Sequence, residues 1–176
     1  FTAAPKGASL EYEIIIPADG KGDHPSFMLC TKFKEAMATI GFNIIINDPS
    51  DSNVLWDALD ADTNELWCAA WGATIDPDMY QIYHSDDITG SNNYGIADDK
   101  LDNLIIKART SDDQAFRKAT YKACLDIIID WAVEVPIYQR QNCIIFSSER
   151  VNMDTVTPDI TTFWVWWNDI ELLEMK

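Results

Sequence analysis

A chain of 176 residues, 47% of them hydrophobic, with seven glycines, seven prolines and no long polar tract, is ordinary globular material and is long enough to bury a core as one domain, residues 1–176. Its formal net charge of −16, from 29 acidic against 13 basic residues, disfavours phosphate backbones and anionic lipid surfaces, since both need a positive face. No nucleic-acid partner is expected, and no stretch reaches the ~18 uninterrupted apolar residues of a membrane helix.

The first residues, Phe1 to Lys6, carry no initiator methionine and lack the apolar core of a signal peptide, as a stretch cut from inside a longer chain would. Ser9 to Pro17 reads as a strand in which Leu10, Tyr12 and Ile14 alternate before the pattern becomes solid isoleucine. A loop over Asp19 to Asp23 comes next. From Ser26, the residues Cys30, Phe33, Met37 and Ile40 recur at helical spacing opposite Lys32, Lys34 and Glu35. Gly41 ends that helix where a left-handed residue is commonly wanted, and Phe42 to Ile46 is a second apolar strand. Strand, helix and strand make a βαβ unit with parallel strands and a right-handed crossover.

Asp51, Ser52 and Asn53 offer N-caps for a short helix carrying Val54, Leu55, Ala58 and Leu59. The chain then enters its most informative stretch, Glu65 to Ser85, ELWCAAWGATIDPDMYQIYHS. Leu66 to Trp71 is a near-continuous apolar run, the pattern of a strand buried on both faces. It stops at Gly72 and opens into a turn at Asp76, Pro77 and Asp78. In an open α/β sheet that is where ligand-contacting groups are exposed. Trp67 and Trp71 are four apart and share a strand face, as a stacked core pair or as a ligand platform; Trp71, at the strand end, has the better claim to the second.

Ser85 to Tyr94 is polar and reads as a surface loop. A helix begins at Ala97 to Asp99 with Leu101, Leu104, Ile105 and Ala108 on one stripe. Ser111 and Gln114 fit a capping box for a helix reaching Trp131, whose expected stripe is Phe116, Ala119, Ala123, Ile127 and Trp131, the last a core indole. Val135 and Pro136 break the pattern, Ile137 to Ser147 reads as a strand, and short strands fit Thr161 to Leu173. Trp164, Trp166 and Trp167 there cover an edge or meet another surface.

Catalytic chemistry is poorly supplied. Only His24 and His84 exist, and each reads as a solvated loop histidine rather than a base. No Gly-rich phosphate loop, HExxH or GxSxG occurs. Asp98, Asp99, Asp112 and Asp113 sit at helix starts, where capping accounts for them. Asp76, Asp78, Asp86 and Asp87 lack the spacing of a calcium loop. No metal or cofactor is expected. Cys30, Cys68, Cys124 and Cys143 fall in separate elements among apolar neighbours and read as small buried hydrophobes, although an even count leaves two disulfides open.

The order of motifs is more specific than any one of them. ELWCAAWGATIDPDMYQIYHSD is followed by Asn92-Asn93-Tyr94-Gly95 and then by Lys100 to Ile105 with Ala108 and Arg109. Asp113, Arg117 to Ala119 and Val135 to Tyr138 complete the series. This order resembles the family 5 solute-binding proteins, the oligopeptide and dipeptide receptors of bacterial ABC importers, over nearly the whole chain. The resemblance implies an α/β fold with a mixed sheet, a βαβαβ start and flanking helices, forming the C-terminal lobe of a two-lobed, periplasmic-binding-protein-like receptor about three times this length.

It also implies non-catalytic capture of a peptide or related small solute in a cleft between this lobe and another, which closes by hinge motion. The implied setting is extracytoplasmic: a monomer that hands its solute to an importer permease, with any membrane attachment a lipid anchor outside this stretch. A carboxylate-dependent α/β hydrolase is the alternative. Implied ligand-binding residues are Trp71, Gly72, Thr74, Asp76, Asn92, Asn93, Tyr138, Gln139 and Arg140. In peptide-binding members the third residue after the strand-ending tryptophan is an aspartate that pairs with the ligand's α-ammonium. Here that position is Thr74, so the charge is absent unless Asp76, in a loop one residue shorter, supplies it; an N-blocked peptide, a sugar or another solute stays open.

Overall fold

The computed structural model describes residues 7–17, 19–72, 74–139, 141, 143–161 and 163–176. Strand β1 is Glu11–Ile15, helix α1 is Pro25–Ala38 and strand β2 is Asn43–Asn47. Helix α2, Asn53–Asp60, leads to a short strand β3, Leu66–Trp67. The expected βαβαβ start is therefore present, with β1 in the centre and parallel pairing on both sides, Glu11 to Ile15 against Asn43 to Asn47 and Ile14 and Ile15 against Leu66 and Trp67.

Side-chain alternation splits this sheet into two dry faces. Ile14, Ile16 and Ile44, with Leu66 and Cys68, pack on Cys30, Phe27, Phe33 and Met37 of α1. Ile15, with Trp67 and Ala69, packs on Leu55, Ala58 and Leu59 of α2. The chain moves outward from β1 to β2, then back past β1 to β3, and two crossovers of one hand running in opposite directions put their helices on opposite faces. Each fully buried isoleucine contributes roughly 1.5–3 kcal/mol.

Local signals set the ends of these elements. The His24 Nδ1 accepts from the Ser26 N–H at 3.1 Å as the cap of α1. Gly41, at φ +91°, turns the chain out of the helix, as expected. Ile40 lies beyond the helix end and is exposed, as is Val54 on α2. The loop before α1 closes on Asp48, whose carboxylate accepts from the N–H groups of Gly20 and Gly22 at 3.1 and 3.0 Å.

A second cluster is built from helices. Helix α3 is Tyr80–Tyr83, α4 is Asp99–Arg109 and α5 is Gln114–Trp131. Leu101, Ile105 and Ala108 of α4 face Tyr121, Cys124 and Ile128 of α5 around Ile96. The stripe expected on α5 is thus the wrong one: Thr120, Tyr121, Cys124 and Ile128 are buried, Phe116 and Ala119 are exposed, and Trp131 is 42% exposed with its Nε1 donating to Asp98 at 3.2 Å. The run Ile127 to Ile129 and the flanking alanines fit two helical faces equally well, and contact with α4 selects between them. The capping box also differs. Asp113 is the N-cap, accepting from the N–H groups of Ala115 and Phe116 at 2.9 and 3.2 Å, while Ser111 Oγ accepts from Asp113 N–H; a carboxylate is the stronger acceptor at a helix N-terminus.

Helix α5 ends on Ala132 in the left-handed region at φ +53°. An L-residue with a Cβ is disfavoured there and glycine is not. Ala132→Gly is expected to raise the unfolding free energy by about 0.5–1 kcal/mol, read as a higher urea midpoint at unchanged slope; a lower midpoint would contradict a strained helix end.

The rest of the chain departs from expectation. Among the described residues of 137–147 none lies in a strand, and Ile145 is 91% exposed. Instead of short strands, the C-terminal segment forms 3-10 turns at Met153–Thr155 and Ile170–Leu172 and one antiparallel bridge, Val151 to Met175. A strand needs a neighbour for its backbone groups, and among the described residues none flanks 137–147. The sheet as described therefore has only parallel pairs.

Candidate functional site

Strand β3 is shorter than its apolar run. Its hydrogen bonding ends with the Cys68 N–H donating to Ile15 O at 3.0 Å, Ala70 is exposed and Trp71 is 46% exposed. The chain thus leaves the sheet at the carboxyl end of parallel strands, and the described residues from Trp71 to Asp78 are held by side chains rather than by a ladder.

The first hold is aromatic. Tyr94 stacks on Trp67 at 5.3 Å and on Tyr83 at 5.6 Å between ring centroids. Trp71 Nε1 approaches the Tyr94 hydroxyl at 3.4 Å. Both tryptophans therefore meet the same tyrosine, but not as the shared strand face expected of them, since the strand ends at Trp67 and Trp71 lies beyond it. Tyr83 and Tyr94 donate their hydroxyls to the two carboxylate oxygens of Glu134 at 3.0 and 2.6 Å. Burial, reinforced by the Glu134 carboxylate, pushes both phenols well above their ordinary range, so they stay neutral donors.

The second hold is ionic. Thr74 Oγ1 donates to the backbone O of Asp76 at 2.6 Å, tightening the turn. Both carboxylate oxygens of Asp76 accept from Nη2 of Arg117, at 2.6 and 2.8 Å. Two residues on, Asp78 pairs with Arg109 Nε at 3.0 Å and accepts from the Tyr80 N–H, while Arg109 lies over the Tyr80 ring at 4.4 Å. One arginine from α4 and one from α5 thereby pin the loop to the helical cluster. Asp76 and Asp78 thus each already have a cationic partner.

Beneath the loop, His84 and Asn92 are packed inside rather than solvated. The His84 ring stacks on Tyr80 at 4.3 Å and its Nδ1 accepts from the Asp86 N–H at 3.1 Å, which occupies the lone pair a general base would need. Asn92, 1% exposed, donates through Nδ2 to His84 O and Ile96 O at 3.1 and 2.9 Å, and its Oδ1 has no hydrogen-bond partner among the described residues. Asn93 is half-buried beside it and Gly72 is open to solvent.

The anticipated residues therefore divide. Trp71, Gly72, Thr74 and Asp76 form one exposed loop, and Asn92 and Asn93 lie in the turn leading to Tyr94. Tyr138 and Gln139 are exposed on the irregular stretch after α5 and make no hydrogen bond among the described residues. Arg140 lies outside the described residues. Tyr83, Tyr94, Glu134, Arg109 and Arg117 were missed as contributors. An acid enclosed by Val133 and Val135 was the available signal for Glu134. Among the described residues no group of three or more His, Cys, Asp or Glu is placed to hold a metal, and no helix is long and apolar enough to cross a membrane. A shallow recess lined by residues 154–158 with Asp169 and Leu172 includes none of the anticipated residues.

No protein-family model matches this sequence, and no curated protein matches it significantly. Solved structures do. The fold is that of part of the solute-binding proteins which the motif order resembles. The periplasmic binding protein DppA of Helicobacter pylori, described as ABC transporter-associated and solved with the peptide STSA, superposes with a TM-score of 0.60 at 23% identity, over 70% of this chain and 24% of its own. The oligopeptide-binding protein AppA of Bacillus subtilis, solved with a nonapeptide, gives 0.64 at 16% identity, over 74% and 26%. NikZ of Campylobacter jejuni, solved with Ni(L-His), gives 0.57 at 22% identity, over 70% and 25%. At these identities the likeness is one of fold, and the chain spans about a quarter of the length of each of these solved chains.

Proposed function

We propose that this chain is the C-terminal, ligand-capturing lobe of a non-catalytic, two-lobed solute receptor serving an ABC importer outside the membrane. The observation that carries the reading is the Trp71 loop. It leaves the carboxyl end of a parallel sheet, where open α/β folds place ligands, and it is fixed from both sides by Tyr94 and by Arg109 and Arg117. Fixing a wall in advance lowers the cost of ordering it when a ligand arrives.

The ligand is a peptide or related small solute that lies against the exposed Trp71 indole and uses main-chain hydrogen bonds. The pairing of Asp76 with Arg117 disfavours recognition of a free α-ammonium at this loop, so N-blocked peptides and uncharged solutes suit it better than free amino termini. Tyr138, Gln139 and Arg140 are proposed as pocket residues reached when the lobes meet.

Half a cleft excludes little water, so the isolated 176-residue chain is expected to bind peptides no more tightly than about 1 mM. Calorimetric titration with N-blocked and free peptides, run on this chain and on a longer receptor containing it, tests the proposal. Binding by the longer protein without turnover supports a receptor. Product formation would establish the hydrolase instead, and micromolar binding by the isolated chain would make the second lobe unnecessary for capture.

A further inference from the structure

Two of the four cysteines meet across the boundary between α1 and the sheet. Cys30, 2% exposed, points from the middle of α1 into the cluster with Ile14, Ile16 and Ile44, and Cys68, just beyond β3 and half-buried, packs against that same cluster. Both side chains thus belong to one packed cluster. Ser26 lies one helical turn before Cys30, on the same face of α1. Cys124 belongs to the α4–α5 core and Cys143 is exposed. These positions correct the reading of the cysteines as uniformly buried hydrophobes: Cys143 is exposed, and only one pair shares a cluster, its members differing in access.

We infer that Cys30 and Cys68 form a redox-active thiol pair that closes to an intramolecular disulfide by exchange with a small-molecule disulfide. The asymmetry of the pair sets the order of events. Interaction with Cys68 and burial push the Cys30 thiol up, while interaction with Cys30 brings the Cys68 thiol down. Cys68 is half-buried where Cys30 is 2% exposed, so it is the thiol that solvent reaches and the one that reacts first, as its thiolate. Its sulfur attacks one sulfur of the external disulfide, forming a mixed disulfide and releasing one thiolate. Cys30 then loses its proton and attacks the Cys68 sulfur, expelling the second thiolate. In sum, two protein thiols become one disulfide while one external disulfide becomes two thiols. The link ties α1 to the strand end three residues ahead of Trp71, and it does not depend on the receptor function.

The test is to treat the reduced chain with excess oxidised glutathione, quench in acid, alkylate and map the cysteines by mass spectrometry. The expected product has lost two hydrogens and yields one linked peptide pair containing Cys30 and Cys68. In Cys30→Ser the reaction stops with glutathione on Cys68. In Cys68→Ser, Cys30 stays an unmodified thiol over the time in which the unsubstituted chain reacts. A lasting glutathione adduct on Cys68 of the unsubstituted chain, a link through Cys124 or Cys143, or two thiols still free would each overturn the inference, and all three are read without relying on a variant to fold.

Discussion

Replacing Leu101 by alanine is expected to lower the unfolding free energy by about 3–4 kcal/mol, and Tm by roughly 10 °C. Leu101 is 0% exposed and sits between Ile96, Ile105 and Ala108 on one side and Tyr121, Cys124 and Ile128 on the other. Alanine keeps the helix, since its helical propensity is the higher of the two, so the loss isolates packing. Two helices that already touch along their length cannot collapse far into the space left behind, which places the cost toward the upper part of the range for such changes. Ile106→Ala, one residue along α4 and 42% exposed, is the control, with an expected loss of about 1 kcal/mol or less. Urea unfolding monitored by circular dichroism reads both as midpoint shifts at constant slope. Equal losses would mean that α4 is not seated on α5 as described. The same cluster supports Tyr83 and Tyr94, so softening it also softens the wall on which Trp71 rests.

How far the sequence reveals this molecule depends on where each signal is decided. The βαβαβ start was legible because solid isoleucine runs, helical spacing and Gly41 act locally and agree with one another. The register of α5 was not, because its apolar residues satisfy two faces and only the packing of α4 chooses between Phe116 and Thr120. The strand expected at 137–147 failed for a related reason: an extended stretch needs a strand beside it to pair with, and this one lacks such a partner among the described residues. At the site, the motif order pointed to the loop from Trp71 to Asp78. It could not show that Asp76 is held by Arg117, 41 positions away, nor that His84 and Asn92 turn inward. Contacts between residues distant in sequence carry no local pattern, and the missed contributors Glu134, Tyr94, Arg109 and Arg117 are all of that kind.

Glu134→Ala is expected to cost about 1–3 kcal/mol, because it removes the acceptor of two half-buried phenol hydroxyls at once, and their partial access to water discounts the roughly 1–3 kcal/mol each would cost if fully buried. Glu134→Gln retains one acceptor oxygen and should fall between. Alkaline titration separates the parts. Both phenols have folded-state values above their unfolded ones, so the stability they contribute is fully present below about pH 10, the ordinary phenol value, and is lost as pH rises through the folded values. Burial is the first cause of both shifts and Glu134 a lesser one, so Glu134→Ala should shallow this alkaline loss without abolishing it; an unchanged slope would remove Glu134 from the network. If the proposed capture function holds, its dependence on Glu134 runs through Tyr94, which touches both Glu134 and Trp71. In a longer receptor containing this chain, Trp71→Ala should weaken ligand binding by about 2 kcal/mol, roughly thirtyfold, as removal of an indole contact does. If Glu134 acts on the ligand only by positioning that indole, the double variant binds no more weakly than Trp71→Ala alone. Additive losses in that cycle would instead place Glu134 in direct contact with the ligand, and the aromatic wall would then carry a charge of its own.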